Sequence, residues 1–361
     1  MYIEVNRGKI MKFSPDEFRG EVIVQDGFFE FMEKVKRTNV KLPNVPEMVG
    51  SIGAENDSIQ YGGKLTVVEG AEKVTFKLDL LNGETISKKE STLISAYDES
   101  IAKFSCLEGK AIYVSHSLIY VFGNRYYPLN MLTAMFVTGS DLVRKRISDA
   151  YKVVATNENW GADTTANVEI AKQKRDFLEK YCYEDSILLI DGPFLAGDGL
   201  AYFKSIKKAF VDRKIIPIFI VKNSASRMII DSISSYKGKY NSDLHFANEI
   251  LSAGERTQFY KYSDNKDNTK VFCYLKFQKG SSPIRIETPT EIYNNFTSEI
   301  MSALDLVYYL IMVQGDYANP QARPIAIAEK YARETLHLID FNKLMRSASL
   351  TPTINEERGI E

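Results

Sequence analysis

"SILLIDGPFLAGDGL", residues 186–200, is the stretch that decides the fold. It opens as a buried strand, reaches an acid at Asp191 and turns at Gly192. Gly192 and Gly197 have the GxxxxG spacing of a phosphate-binding loop, but Asp198 stands where such a loop has its lysine. Two interpretations stay open: a plain Asp-Gly turn, or a strand that presents Asp191 at its carboxyl end, where open α/β sheets place functional groups.

The segments on both sides of this strand predict the order of secondary structure. Upstream, residues 110–117, 118–124 and 130–139 alternate like the strands of an antiparallel meander, and a helical pattern follows over 164–181. Downstream, a helix and the strand 215–222 complete a β-α-β unit, whose right-handed crossover makes its two strands parallel. This order predicts an α/β fold with a ribonuclease H-like core, in which helices flank an antiparallel meander and parallel strands.

The chain divides into three parts by pattern: an N-terminal region over 1–109, a core domain over 110–346 and a tail over 347–361. The N-terminal region is predicted to hold short helices, one at 28–37, and a β-rich portion with a hairpin signal at Asn82-Gly83. The core domain is predicted to end in helices at 297–314 and 324–346. The N-terminal region is expected to cover the cleft or contact a partner.

Composition limits the class of protein. The net charge of −1 excludes attraction of the whole molecule to nucleic acid, so contact with DNA requires local basic clusters. The most apolar run, 300–313, is too short for a membrane span and contains Asp305, so no membrane partner is expected. The opening residues lack a signal peptide, which predicts a cytoplasmic protein. Three histidines and three unclustered cysteines leave carboxylates to carry any metal.

One pair of acids is placed to hold a metal. Glu169 lies in the helix over 164–181, and Asp191 ends the next strand. Glu169 alone is also consistent with a solvated helix position. If the helix covers the sheet near 186–190, the two carboxylates can share Mg²⁺ or Mn²⁺, because these cations prefer oxygen ligands. Ions held in this way activate water in phosphodiester cleavage.

Six segments together resemble the NurA family of nucleases, by their order and spacing over roughly residues 110–346. They are "NVEIA" (167–171), "SILLIDGPFL" (186–195), "IPIFIVKNSASR" (216–227), "DLHFANEILSAGERTQFY" (243–260), "VFCYLKFQKGSSPIRIETP" (271–289) and "RPIAIAEKYA" (323–332). The resemblance implies a homodimer that cleaves DNA with manganese. It also implies a hexameric HerA-type ATPase as partner, with which the nuclease resects DNA ends during DNA repair.

The resemblance also assigns site residues. Glu169 and Asp191 match metal ligands of the family, and Lys222 falls on a lysine-bearing strand end where a cation faces phosphate. The family's first metal ligand is an aspartate, and the matching "YVSHS" has Ser115 in that place. His116 beside it is a further candidate ligand.

Three other positions depart from the family pattern or compete with it. Near residue 320 the family has a tyrosine in a turn and a histidine on a helix, and this chain has Gln321 and Glu329 in their places. Glu329 is therefore a candidate catalytic acid. An alternative alignment makes Glu69, in "TVVEGAE", the first ligand.

Two functions follow from these residues. The first is a NurA-like nuclease that depends on Mn²⁺ or Mg²⁺ and processes DNA ends with a HerA-type translocase. The second is a scaffold subunit with impaired catalysis that docks the ATPase or DNA, because loss of one acid weakens a metal site. An actin-like or sugar-kinase-like ATPase is a weaker third hypothesis, since the chain has no second glycine-rich phosphate loop.

Overall fold

Strands from the whole length of the described chain form a single mixed sheet. The structure, a computed structural model, describes residues 21–25, 27–37, 64–69, 74–89, 91–147, 153–155, 162–194, 200–232, 240–264, 269–314, 320–348 and 350–353. Within these residues the sheet has thirteen strands, with the central order β1-β6-β5-β4-β8-β9-β13-β12-β10-β3. Three further strands lie off this path: β11 pairs with β12, β2 pairs with β11 and β7 pairs with β6.

The strands and helices have the following bounds. The strands are β1 Glu21–Val24, β2 Lys64–Val67, β3 Thr75–Lys77, β4 Leu93–Cys106, β5 Gly109–Phe122, β6 Arg125–Thr138, β7 Val153–Ala155, β8 Ser186–Asp191, β9 Ile215–Val221, β10 Glu255–Thr257, β11 Tyr260–Ser263, β12 Thr269–Lys276 and β13 Ile284–Pro289. The helices are α1 Phe28–Arg37, α2 Leu80–Lys88, α3 Asp141–Ile147, α4 Ala162–Tyr181, α5 Leu200–Asp212, α6 Met228–Ser232, α7 Asp243–Ile250, α8 Thr290–Asn295, α9 Thr297–Gln314, α10 Arg323–Leu336 and α11 Phe341–Ser347.

The centre of the sheet has the ribonuclease H-like arrangement. β4, β5 and β6, of 14 residues each, form the antiparallel meander. β4 pairs in parallel with β8, and β8 pairs in parallel with β9. The meander therefore begins at Leu93, and the prediction that it begins at 110 was wrong. Residues 110–117 and 118–124, predicted as two strands, belong to β5 and the turn after it.

Residues before 93 join both ends of this sheet. β1 pairs with β6, whereas β2 pairs with β11 and β3 with β10. The boundary predicted between 109 and 110 falls at the start of β5, which is paired with β4 along its whole length. The first hundred residues thus supply one of the core strands.

The Asn82-Gly83 hairpin prediction was wrong, because both residues lie in α2. Asp79 caps this helix by accepting hydrogen bonds from the backbone N–H groups of Leu81 and Asn82. A Cβ on Gly83 would lie 2.2 Å from the backbone oxygen of Asp305 in α9. Glycine is therefore required where α2 crosses α9.

Helices cover both faces of the meander. Ile112 and Val114 of β5 pack with Ala166 and Ile170 of α4. Tyr113, which points the other way, stacks on Phe341 of α11 with 5.4 Å between ring centroids. We call these the α4 face and the α10 face, since α10 leads into α11 and packs across β4 and β5. Side chains of successive strand residues alternate between the two.

The predicted helices at 28–37 and 297–314 are confirmed as α1 and α9. The helix predicted over 324–346 is divided into α10 and α11, because the chain leaves the helix after Leu336 and Asp340 caps a new one. Among the described helices, none has the length and apolar character needed to cross a bilayer.

Candidate metal site at the ends of two parallel strands

Two aspartates lie side by side where β8 ends. Tyr97 of β4 pairs with Ile190 of β8 in parallel register, so the next residues on each strand, Asp98 and Asp191, are neighbours on the same face. Gly192 then turns the chain away with a φ of 94°, in the region that favours glycine. The two carboxylates therefore meet at the carboxyl edge of the parallel strands.

Asp98 is held in an unfavourable electrostatic environment. Burial raises the pKa of Asp98 from 3.8 to about 7, and the negative charge of Asp191 is the next largest cause. The charges of Glu99 and Glu329 add to this rise, while the backbone N–H of Glu99, 2.8 Å from Asp98 Oδ1, opposes it. The negative charges around Asp98, which raise its pKa, form a pocket that favours a bound cation.

Lys222 lies beside this pair. It follows β9, and its Nζ donates a 2.8 Å hydrogen bond to Asp191 Oδ2. Both side chains are partly exposed, at 28% and 21%. The structure thus brings together Asp191 and Lys222, as the sequence suggested, with a protein cation at the rim of the pocket.

Glu329 and Gln321 also belong to this edge of the sheet. Gln321 Nε2 donates a 3.2 Å hydrogen bond to Glu329 Oε2, and Arg333, one turn further along α10, pairs with the other oxygen. The charge of Glu329 contributes to the pKa of Asp98, so α10 carries a third carboxylate toward the pair.

Glu169 lies on the other face. Gln173, one helical turn after it on α4, accepts a hydrogen bond from Thr133 of β6, whereas Lys174 reaches Glu99 of β4. Glu169 is therefore on the β6 side of α4, where Lys172 Nζ lies 3.3 Å from its carboxylate. The expected sharing of one ion by Glu169 and Asp191 does not match this placement, because α4 covers the face opposite Asp98.

Ser115 and His116 lie on β5, one strand further from β8 than Asp98. Ser115 is fully buried opposite Ser100, so its assignment to the first-ligand position was wrong. His116 is on the α4 face, where its Nδ1 lies 2.7 Å from the Tyr97 hydroxyl. Burial lowers the pKa of His116 to about 4, which keeps the imidazole neutral at pH 7.

Glu69, the alternative first ligand, is bound by an arginine. Both of its carboxylate oxygens accept 2.8 Å hydrogen bonds from Arg256 of β10. This bidentate pair lies at the far end of the sheet from Asp191. Glu69 therefore fastens the segment after β2 to the sheet.

The basic clusters of α4 and α5 are largely used within the fold. Lys174 lies 3.3 Å from Glu99, and Lys207 lies 3.0 Å from Glu291. Arg213 donates to backbone carbonyls at the end of α4. These contacts stabilise the packing of the helices.

The residues present fit a hard divalent cation. Such ions are often held by one or two carboxylates, with water or substrate phosphate as the other ligands, and Asp98 and Asp191 supply two. No group of three or more His, Cys, Asp or Glu residues in the described ranges has the geometry of a complete cage. Two carboxylates would leave the other ligand positions of such an ion to water or a substrate phosphate.

Asp98 is the site residue that sequence reasoning missed. The signal is present in "LISAYD" (93–98), which, like "SILLID" (186–191), is a buried run that ends in aspartate. The alternation over 91–104 indicates a strand of the β-rich portion, but it does not indicate that the first half of this strand pairs with β8 in the core.

Comparison with known proteins gives a family match. A family model, the NurA domain, matches residues 141–334, more than half of the chain. Asp98 precedes this range, and Asp191, Lys222, Gln321 and Glu329 lie within it. No curated protein matches the sequence.

Three solved structures are similar in part. The NurA nuclease from Sulfolobus solfataricus is 11% identical with a TM-score of 0.44, over 71% of this chain and 85% of that one. Endonuclease V from Bacillus subtilis is 11% identical with a TM-score of 0.38, over 68% and 81%. A structure of NurA bound to dAMP and manganese is 11% identical with a TM-score of 0.32, over 71% and 88%.

Proposed function

We propose that this chain, which belongs to the NurA family, is a metal-dependent DNA nuclease whose cation is held by Asp98 and Asp191. The single observation that carries the proposal is the position of these two acids. They follow paired residues of β4 and β8, and burial together with the charge of Asp191 raises the pKa of Asp98 to about 7. A cation relieves this repulsion, so the site is prepared for one.

The neighbouring residues have separate roles in the proposal. A divalent cation at this site supplies Lewis-acid activation of phosphate and of water. Lys222, 2.8 Å from Asp191, places a positive charge where the DNA backbone approaches. Glu329, oriented by Gln321, supplies a proton acceptor at the position where the family has histidine.

The scaffold hypothesis depended on Ser115 replacing the first acid. With Asp98 beside Asp191, that reason for impaired catalysis is removed, and the nuclease is the function we propose. A homodimer and a HerA-type hexameric ATPase, acting in DNA end processing, are proposed from the family alone. Sedimentation of the purified chain and its co-elution with such an ATPase test them.

A cleavage assay on linear single-stranded and double-stranded DNA tests the proposal. We expect cutting that requires Mn²⁺ or Mg²⁺ and falls at least ~100-fold in Asp98→Asn and Asp191→Asn, since both remove a metal ligand. Glu169→Gln is the matched control, because it makes the same change on the other face and should keep most activity. A wild-type protein that cuts neither substrate, while binding the ATPase, would favour the scaffold.

A further inference from the structure

A buried carboxylate behind the site connects to the loops that carry its residues. Glu287 of β13 is fully buried, accepts hydrogen bonds from two donors and forms an ion pair with Arg285. Lys270 Nζ and an Arg285 Nη each lie 2.7 Å from its Oε1, and the backbone N–H of Phe194 lies 2.9 Å from its Oε2. The contact with Phe194 joins the carboxylate to the main chain, whereas the other two contacts join it to side chains.

That contact holds the turn after Asp191. Phe194 is three residues past Asp191, and its ring packs on Phe219 with 5.0 Å between centroids. Within the same turn, the Gly192 N–H donates a 3.0 Å hydrogen bond to the Ile220 carbonyl. The turn is thus anchored on β9 at one end and on Glu287 at the other, which sets the direction of the Asp191 side chain.

Arg285 extends the connection to the loop after β9. Its second Nη donates a 2.7 Å hydrogen bond to Ser224 Oγ, two residues past Lys222. One ionic cluster therefore contacts both the turn after Asp191 and the loop after Lys222. The side chains of these two residues lie 2.8 Å apart. Neither site residue contacts Glu287 through its own side chain.

We propose that Glu287 is a positioning residue that, through Phe194 and Arg285, fixes Asp191 and Lys222 at the spacing that cation and phosphate binding need. The inference rests on the proposed function. Buried ion pairs add little to stability compared with apolar residues of the same volume, so stability alone is a weak reason for this cluster. Groups that orient metal ligands, by contrast, change affinity or activity by about 10–100-fold when removed.

Glu287→Gln is the test, and Glu69→Gln is the matched control. Each removes one carboxylate charge that is paired with an arginine, but Glu69 pairs with Arg256 of β10, which lies four strands from β8. We expect Glu287→Gln to weaken Mn²⁺ binding, measured by calorimetry, about tenfold or more. We also expect faster hydrogen exchange of the 191–194 amides. Glu69→Gln should change neither the Mn²⁺ affinity nor the exchange of these amides. A folded Glu287→Gln variant with wild-type Mn²⁺ affinity and wild-type exchange would overturn the proposal.

Ser224→Ala covers the case in which Glu287→Gln does not fold. It removes only the link between Arg285 and the Lys222 loop, at a half-buried position. We expect a raised KM for DNA, unchanged Mn²⁺ affinity and faster exchange over 222–226. Wild-type exchange there would contradict the proposal. Hydrogen-exchange rates can be measured whether or not the protein cleaves DNA. A wild-type protein without nuclease activity would therefore refute the proposed function, and the exchange data would still decide whether Glu287 positions the two loops.

Discussion

Replacing Asp98 with asparagine should stabilise the fold while it abolishes activity. Asn keeps an oxygen for the Glu99 N–H, which donates a 2.8 Å hydrogen bond to Asp98 Oδ1, but carries no charge against Asp191. In the wild type, burial and the charge of Asp191 raise the pKa of Asp98 from 3.8 to about 7. The folded state therefore holds the Asp98 proton more tightly than the unfolded chain does, and ionisation opposes folding.

The magnitude follows from proton linkage. A group whose pKa is raised on folding costs stability as pH rises from its unfolded pKa through its folded pKa. For Asp98 this lowers the free energy of unfolding by up to ~4 kcal/mol at pH 8.5, by about 2 kcal/mol at pH 5.5 and by less than ~1 kcal/mol at pH 4. Asp98→Asn removes this cost, so its gain over wild type should grow with pH.

Urea unfolding of wild type and Asp98→Asn at these three pH values, without divalent metal, measures the gain. Asp176→Asn is the control, because Asp176 is 63% exposed and should show no such trend. Mn²⁺ should raise the stability of wild type and leave that of Asp98→Asn unchanged. A gain that does not vary with pH, or a loss of stability at pH 8.5, would refute the raised pKa of Asp98, which burial and the charge of Asp191 together cause.

Three further predictions concern separate parts of the molecule. Gly83→Ala should destabilise the protein by about 1–3 kcal/mol in urea, because its Cβ would meet the Asp305 carbonyl; a gain, as in an open helix, would contradict that contact. Glu69→Gln should cost about 3–5 kcal/mol by leaving Arg256 unpaired, with cleavage per folded molecule unchanged; reduced cleavage would place Glu69 in the site. The Mn²⁺ concentration for half-maximal cleavage should rise about tenfold per pH unit below 7, as Asp98 takes up a proton; a flat profile would exclude Asp98 as a ligand.

The central elements of the fold could be predicted because they are fully buried. β8 and β9 are continuous apolar runs, and the long helix α9 has no breaker inside it. The alternation over 91–104 indicates a strand, but its place in the core could not be read from the chain, because only the first half of β4 is buried, between β5 and β8. Asn82-Gly83 is a typical hairpin sequence, but here the glycine allows α2 to cross close to α9, so the segment is helical.

The candidate site combines residues that the sequence singles out with one, Asp98, that it does not. Asp191 and Lys222 follow buried strands directly, and their positions could be read from the chain. Asp98 required the parallel pairing of β4 with β8, a contact between segments about ninety residues apart. The helix that carries Glu169 was predicted, but the face of the sheet on which Glu169 lies could not be read from the helical pattern.

The most direct measurement of the central claim is a crystal structure with Mn²⁺, with the ion located by its anomalous signal. We expect one strong peak within coordination distance of a carboxylate oxygen of Asp98 and one of Asp191, with Lys222 beside it. A peak bound by Glu169 in place of Asp98, or none at the carboxyl edge of β8 in protein that cleaves DNA, would contradict it.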